Sequence, residues 1–212
     1  MKNFLFRIID MMIGLVLFGI GIVVTIKANI GYAPWEVFHV GLANTIGLSI
    51  GVTSIIAGII MVIIVTILGE KFGLGTIASI VLTGIFIDIF MNFIPEADNY
   101  LIGSAMMLAG VFIISIGSYF YFKTAFGAGP RDNLMVVLAR KTKIPVGICR
   151  SIVELSVTVS GWLLGGMVGF GTVLFVISIG FFIQITFKLL KFDVKAVKHE
   201  SLIDTFNSLF RK

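Results

Sequence analysis

The stretch Lys27 to Ile89 is written a second time at Lys123 to Ile185, 96 positions later and without a gap. The first copy opens K-A-N-I-G-Y-A-P-W-E, passes through L-G-E-K-F-G-L-G-T and closes G-I-F-I-D-I. The second opens K-T-A-F-G-A-G-P-R-D, passes through L-G-G-M-V-G-F-G-T and closes G-F-F-I-Q-I. Each half of the chain holds 12 glycines, and 8 of them coincide at this one offset. Random placement gives roughly one or two, so the chain is two copies of one unit. A fold for this sequence must therefore be built from two similar halves.

The unit is a membrane unit. The 212 residues are 58% hydrophobic and only 13% charged, with a mean hydropathy of +1.11. Soluble domains carry about 25% charged residues, enough to cover a wet surface. This chain lacks them, and its apolar segments are long enough to cross a bilayer. Six spans are expected: Ile8 to Ile26, Ile50 to Leu68, Leu74 to Phe93, Leu101 to Phe122, Val146 to Leu164, and Phe170 to Leu189. The first resembles a signal peptide, but it exceeds the usual apolar length of about 7–15 residues. It also recurs internally, so it is read as a retained span.

One short segment per copy is left over, Pro34 to Thr45 and Pro130 to Lys141. Each is too short to span as a helix. Each follows a glycine-rich turn, with proline at the first helical position and an acid, Glu36 or Asp132, in the first turn. Both features favour a helix start. The expectation is an all-α polytopic membrane protein with an extra short helix in each repeat, interfacial or re-entrant. Residues 1–96 form the first repeat, 97–190 the second, and 191–212 a tail. In that tail Leu202, Ile203, Phe206, Leu209 and Phe210 fall at helical spacing, as in an amphipathic surface helix.

Lysine and arginine fix an expected orientation. With the N-terminus inside, the inner segments hold Lys2, Arg7, Lys71, Lys123, Arg131, Arg140, Lys141 and Lys143, together with the basic residues of the tail. The outer loops hold Lys27 alone. This is the positive-inside bias, with both termini cytoplasmic in a bacterial cell membrane. It also explains the net charge of +5 without a nucleic-acid partner. Three spans per copy is an odd number, so the second copy enters the membrane inverted. Repeats of that kind recur in secondary transporters, with a site between them.

The residues G-Y-A-P-W-E-V-F-H-V-G-L, G-L-S-I-G and L-G-E-K-F-G-L-G-T resemble the YczE/YyaS/YitT-type group of bacterial integral membrane proteins, most closely its YczE-like members. The resemblance runs to about Leu190 and includes the second turn, G-A-G-P-R-D-N. It implies a multi-span protein of the bacterial cell membrane. A transport or export role is supposed for relatives. The resemblance supplies no catalytic residues.

Charge inside a span is costly and points to function, at about 2.5–3.5 kcal/mol for Asp, Lys or Arg at the bilayer centre. Asp88, late in span three, is a candidate binding carboxylate or a buried acid bonded to a neighbouring helix. Its repeat counterpart is Gln184. Arg150 and Glu154 stand four residues apart on one helix face. They are either a site or a self-neutralised pair, and their counterparts Ser54 and Gly58 carry no charge. The two turns add Pro34, Trp35, Glu36 and His39 from the first copy and Pro130, Arg131 and Asp132 from the second. They are structural seats for short helices or gates, with Trp35 expected near the outer interface and Arg131 on the inner side. Gly75-Thr76 and Gly171-Thr172 each open a span, where the threonine hydroxyl can cap free amides.

The chain carries no H-E-x-x-H, Walker or G-x-S-x-G pattern. A single cysteine, Cys149, and two histidines leave no cysteine cluster or histidine metal site. No catalytic residue, metal or cofactor is therefore expected. The reading is a small secondary-type transporter or exporter of a small molecule or ion, coupled, where it is coupled, to protons or sodium through a carboxylate. The expected partners are the lipid bilayer and that substrate, and a homodimer is compatible with so small a bundle. The alternative is a membrane scaffold or regulatory partner without transport activity.

Overall fold

A computed structural model of the chain describes residues 2–194, 197 and 199–210, with side chains for residues 4–194, 197 and 199–207. The basic positions Lys198, Arg211 and Lys212, and the side chains of Lys2, Leu209 and Phe210, lie outside the described residues. All regular structure among the described residues is helical. The first half holds α1 (Lys2–Lys27), α2 (Pro34–Ile46), α3 (Ile50–Ile67) and α4 (Leu74–Met91). The second holds α5 (Tyr100–Lys123), α6 (Pro130–Thr142), α7 (Val146–Leu163) and α8 (Phe170–Leu189), and α9 (Leu202–Phe210) closes the chain. Six of these are long and apolar enough to cross a membrane: α1, α3, α4, α5, α7 and α8. The first reaches further out than its apolar core suggested, because the helix begins at Lys2.

Local chemistry sets the boundaries. Proline opens α2 and α6, where its missing N–H costs nothing. Ser49 and Asn99 cap α3 and α5 by accepting the amides of Val52 and Ile102. Gly47 ends α2 in the left-handed conformation. Thr76 and Thr172 open α4 and α8 as expected, each accepting the amide of a glycine three residues back at 3.2 Å.

The halves meet along α1 and α5. A Cβ on Gly14 would strike the carbonyl of Gly117 at 2.9 Å, and one on Gly21 the carbonyl of Gly110, also at 2.9 Å. Numbering rises on one helix as it falls on the other, so the two run antiparallel and almost backbone to backbone. Small residues permit that approach. Gly14 and Gly21 are the repeat counterparts of Gly110 and Gly117, so each end of the seam repeats the other.

A second pair of contacts crosses the halves. The Gly75 amide donates to the Phe126 carbonyl at 2.8 Å, and the Gly171 amide to the Ile30 carbonyl at 2.7 Å. Each is the 96-residue image of the other. Gly31 and Gly127 turn there with φ of 114° and 124°. A side chain at either would be strained and would also collide with the facing glycine, Gly169 or Gly73.

The halves differ at one seam. In the first, α3 packs on α4 so closely that a Cβ on Gly84 would meet the Gly51 carbonyl at 2.7 Å. In the second, the equivalent Gly147 and Gly180 have nothing within 4 Å, and α7 stands apart from α8. The tail helix is present but is not a free surface element. The Glu200 amide donates to the Ala125 carbonyl at 2.8 Å and the Leu202 amide to Phe72 at 3.1 Å, and Glu200 pairs with Arg7 at 2.8 Å. Asp10 on α1 pairs with Lys123 at 3.0 Å.

The unequal seam makes a paired prediction. Gly84→Ala should destabilise the protein by about 1–3 kcal/mol through overpacking. Gly180→Ala should leave it unchanged or raise its stability by up to about 1 kcal/mol from helix propensity. Thermal midpoints of the two variants in one detergent compare them directly; equal midpoints would contradict the asymmetry.

Candidate functional site

The turns that follow the crossing contacts run inward. Ile30 is held by α8 and Phe126 by α4, so the segments Gly31 to Pro34 and Gly127 to Pro130 are fixed at both ends. They deliver the N-termini of α2 and α6 to the space between the halves. That space is a cavity of about 430 Å³ lined by all eight helices from α1 to α8. Its size is that of a small-molecule site.

Repeat symmetry is written into its wall. Twenty of the 28 lining residues form ten pairs separated by 96 positions, among them Phe18 with Ile114, Ile22 with Ser118 and Thr83 with Ile179. The positions are equivalent, but the chemistry is not. Trp35 pairs with Arg131, His39 with Met135, Ser54 with Arg150 and Gly58 with Glu154. Ionisable groups are thus concentrated where α2, α6 and α7 converge.

Two ion pairs lie in the wall. Arg131 Nη2 is 3.3 Å from Glu36 Oε1, and its guanidinium carbon is 4.8 Å from the centroid of the Trp35 ring. Arg150 Nε donates to Glu154 Oε1 at 2.8 Å. Glu36 is only 3% exposed, and Arg131 is the cation that faces it there. Asp132 has no ion pair and no hydrogen bond among the described residues. It lies on the short helix α6 rather than on a span. Burial raises its carboxyl above the ordinary range, against the pull of Arg150 and then Arg131. His199, from the tail, stands 6.0 Å from the Phe122 ring; burial lowers its imidazole while Asp132 works the other way.

Three further polar groups on the wall are buried without a hydrogen bond: Trp35 Nε1, both ring nitrogens of His39, and Tyr121 Oη. Their residues are 7%, 1% and 3% exposed. A buried polar atom without a partner costs about 1–3 kcal/mol, so three together need a reason.

The structure sorts the sequence candidates. Arg150 and Glu154 line the cavity, and so do Pro34, Trp35, Glu36, His39, Pro130, Arg131 and Asp132. Asp88 lies outside it. Its carboxylate accepts the Ser49 hydroxyl at 2.5 Å and the Gly51 amide at 2.8 Å, tying α4 to the start of α3. Gln184 is exposed on α8 and does not line the cavity. The expectation for Trp35 requires correction. It is not an interface anchor remote from Arg131 but is buried beneath it, because both short helices turn in toward the same space. Tyr121 had no signal in the sequence, where it ends an apolar span and its counterpart is Thr25. No group of three or more histidine, cysteine or acidic side chains placed to hold a metal occurs among the described residues.

Comparison with known proteins places the chain in a family. Residues 5–188 match a family of unknown function (DUF6198). The chain belongs to this family. It is 34% identical over 173 residues to the uncharacterized membrane protein YczE of Bacillus subtilis, covering 81% of this chain and 80% of that one. An uncharacterized protein of Haemophilus influenzae is 32% identical over 174 residues, 82% of this chain and 80% of its own. The uncharacterized protein YyaS of Bacillus subtilis is 30% identical over 168 residues, 76% of this chain and 83% of its own. No solved structure matches. The family and the six apolar helices make the chain a multi-pass membrane protein.

The Glu36–Arg131 contact yields a stability prediction. Arg131→Ala should cost about 2–3 kcal/mol, toward the low side for a buried pair because Arg131 is partly exposed. Adding Glu36→Gln to that variant should recover much of the loss, since it removes the stranded charge. Unfolding of the two single variants and the double variant measures the coupling. Strict additivity would mean that the pair does not hold the short helices together.

Proposed function

We propose that the protein is a small secondary-type transporter, not an enzyme, built of two inverted repeats around the central cavity. The observation that carries the reading is the cavity wall itself, made largely of residue pairs 96 positions apart. A shared surface of that kind is what a two-fold relation between the halves produces. The antiparallel α1–α5 seam and the reciprocal Gly75–Phe126 and Gly171–Ile30 bonds support the same relation. Both termini face the cytoplasm of a bacterial cell, by the distribution of lysine and arginine. The two short helices then approach the midplane from opposite sides, where carriers of this architecture bind their cargo.

The difference between the halves supports movement. One half has its α3–α4 seam shut and the other has α7 apart from α8. Exchanging these states between the repeats moves access from one side of the cavity to the other. Exchange of that kind is rigid-body rocking around a fixed site.

Two measurements test the reading, both in a Cys149→Ser background. Tyr32→Cys and Ala128→Cys occupy equivalent positions of the two turns. A membrane-impermeant thiol reagent should reach the first from outside intact cells and the second only after the membrane is opened. Labelling from the same side overturns the inversion. Gly147→Cys combined with Gly180→Cys should form a disulfide under mild oxidation as α7 closes on α8. No cross-link under any condition leaves a rigid scaffold as the better description.

A further inference from the structure

Resting on the transporter reading, we propose that the cavity takes a lipophilic organic monocation in exchange for a proton, with Asp132 as the carboxylate that holds one or the other. The charge on the wall leads there. Its five carboxylate and guanidinium side chains are Glu36, Arg131, Asp132, Arg150 and Glu154. Glu36 with Arg131 and Arg150 with Glu154 cancel in pairs. His39, buried beside the Arg131 guanidinium, stays neutral. Asp132 is left with no ion pair or hydrogen bond among the described residues, so it is the one acid of the wall whose charge, when ionised, no neighbour cancels. An anionic ligand would have to break an existing ion pair to find a cation. A cationic ligand finds its partner free.

The remaining wall describes the body of that ligand. It is mostly apolar, with Phe18, Phe122, Phe175 and Phe187 contributing rings and Ile179 and Ile183 filling between them. Ring faces attract a desolvated cation as well as an apolar group. The Trp35 ring is already covered by Arg131, which leaves the phenylalanines for the ligand. Trp35 Nε1, the His39 nitrogens and Tyr121 Oη supply unpartnered polar atoms on the same wall. The gap between α7 and α8, both of which line the cavity, gives a lipophilic ligand a way in from the membrane.

The exchange is a competition for one carboxyl. Without cargo, burial favours the protonated form of Asp132. The cation pairs with the carboxylate and the proton leaves for solvent. The charged or titratable groups around Asp132 are Arg131 on its own helix, Arg150 and Glu154 on α7, Tyr121 on α5, Glu36 and His39 on α2, and His199 of the tail. Three of them, Arg150, Arg131 and His199, favour the ionised form, while Glu154 opposes it. Protonation of His199 at low pH also disfavours a cation. It acts in the same direction as protonation of Asp132, so it must be separated by a variant.

The test is calorimetric titration of tetraphenylphosphonium, a permanent lipophilic cation, into the full chain in lipid nanodiscs, with empty nanodiscs subtracted. The expected result is saturable binding that weakens about tenfold for each unit the pH falls below the Asp132 pKa. Titrations in buffers of different ionisation enthalpy should show close to one proton released per cation bound. Asp132→Asn should lose the binding and the proton release, Asp132→Glu should keep both, and His199→Gln should keep the pH dependence. No saturable binding by the wild type at any pH overturns the proposal, and so does binding that Asp132→Asn leaves intact. Failure of the α7–α8 cross-link with binding intact would sink transport but leave the site. A cross-link that forms without cation binding would do the reverse.

Discussion

The two amide–carbonyl bonds that cross between the halves, Gly75 to Phe126 and Gly171 to Ile30, are the contacts on which the rest depends. The first amides of any helix lack partners within the helix. In an apolar medium each unmet amide costs several kcal/mol, and water is absent to repair it. Here α4 and α8 begin against the other half, and each borrows a carbonyl from it. Neither half satisfies its own backbone alone. The same bonds pin the Gly31 and Gly127 turns, which in turn aim α2 and α6 at the cavity. A requirement of backbone chemistry therefore places Glu36 within reach of Arg131, although 95 positions of chain separate them.

The two halves repeat one sequence pattern, and their side chains depart from it at particular places. At the start of α3, Ser49 and the Gly51 amide both donate to Asp88, which locks α4 against it. Repeat equivalence puts Pro145 where Ser49 stands and Gln184 where Asp88 stands. Proline has neither a hydroxyl nor an amide hydrogen to give, so α7 has no matching tie. The open space at Gly147 and Gly180 follows from that loss. Equivalent reasoning applies at the tightest contact of α2 with α7, where a Cβ on Gly41 would meet the Gly161 carbonyl at 2.4 Å. The counterpart of Gly41 is Val137, which carries a buried side chain where α2 has none.

Much of this was legible in the sequence, and the parts that were not share a cause. The offset of 96 gave two units, six spans and two short helices, since hydropathy and capping chemistry act locally. The turn residues were legible as a group because they occupy equivalent positions of the two copies, and both sets line the cavity. What a polar side chain in a span faces is decided by its neighbours instead. Asp88 and Glu154 look alike in sequence, yet one caps a helix and the other lines the cavity. Only the partner Ser49, 39 positions away, separates the two cases. Trp35 was misplaced for a related reason. Tryptophan suits a membrane interface, and nothing local signals that an arginine from the other half will cover its ring. Tyr121 was missed because its hydroxyl matters only through the cavity it meets.

In the carrier reading, the broken symmetry has an energetic consequence. Two identical halves would make the two access states mirror images of equal free energy. With Asp88, Ser49 and Gly51 bonded in one half and no counterpart in the other, the states differ in hydrogen bonding from the outset. A bound group shifts such a balance only by the difference in its free energy between the states. The cavity is built to supply a difference. Its carboxylate and guanidinium side chains lie on α2, α6 and α7, while α8 offers it apolar ones. Movement of α7 against α8 therefore changes the distance from Arg150 and Glu154 to the rings on α8, while the Glu36–Arg131 contact ties the two short helices to each other. The fixed contact and the moving pair divide the work. The first holds the two halves in register, and the second lets the occupancy of the cavity decide which seam is shut.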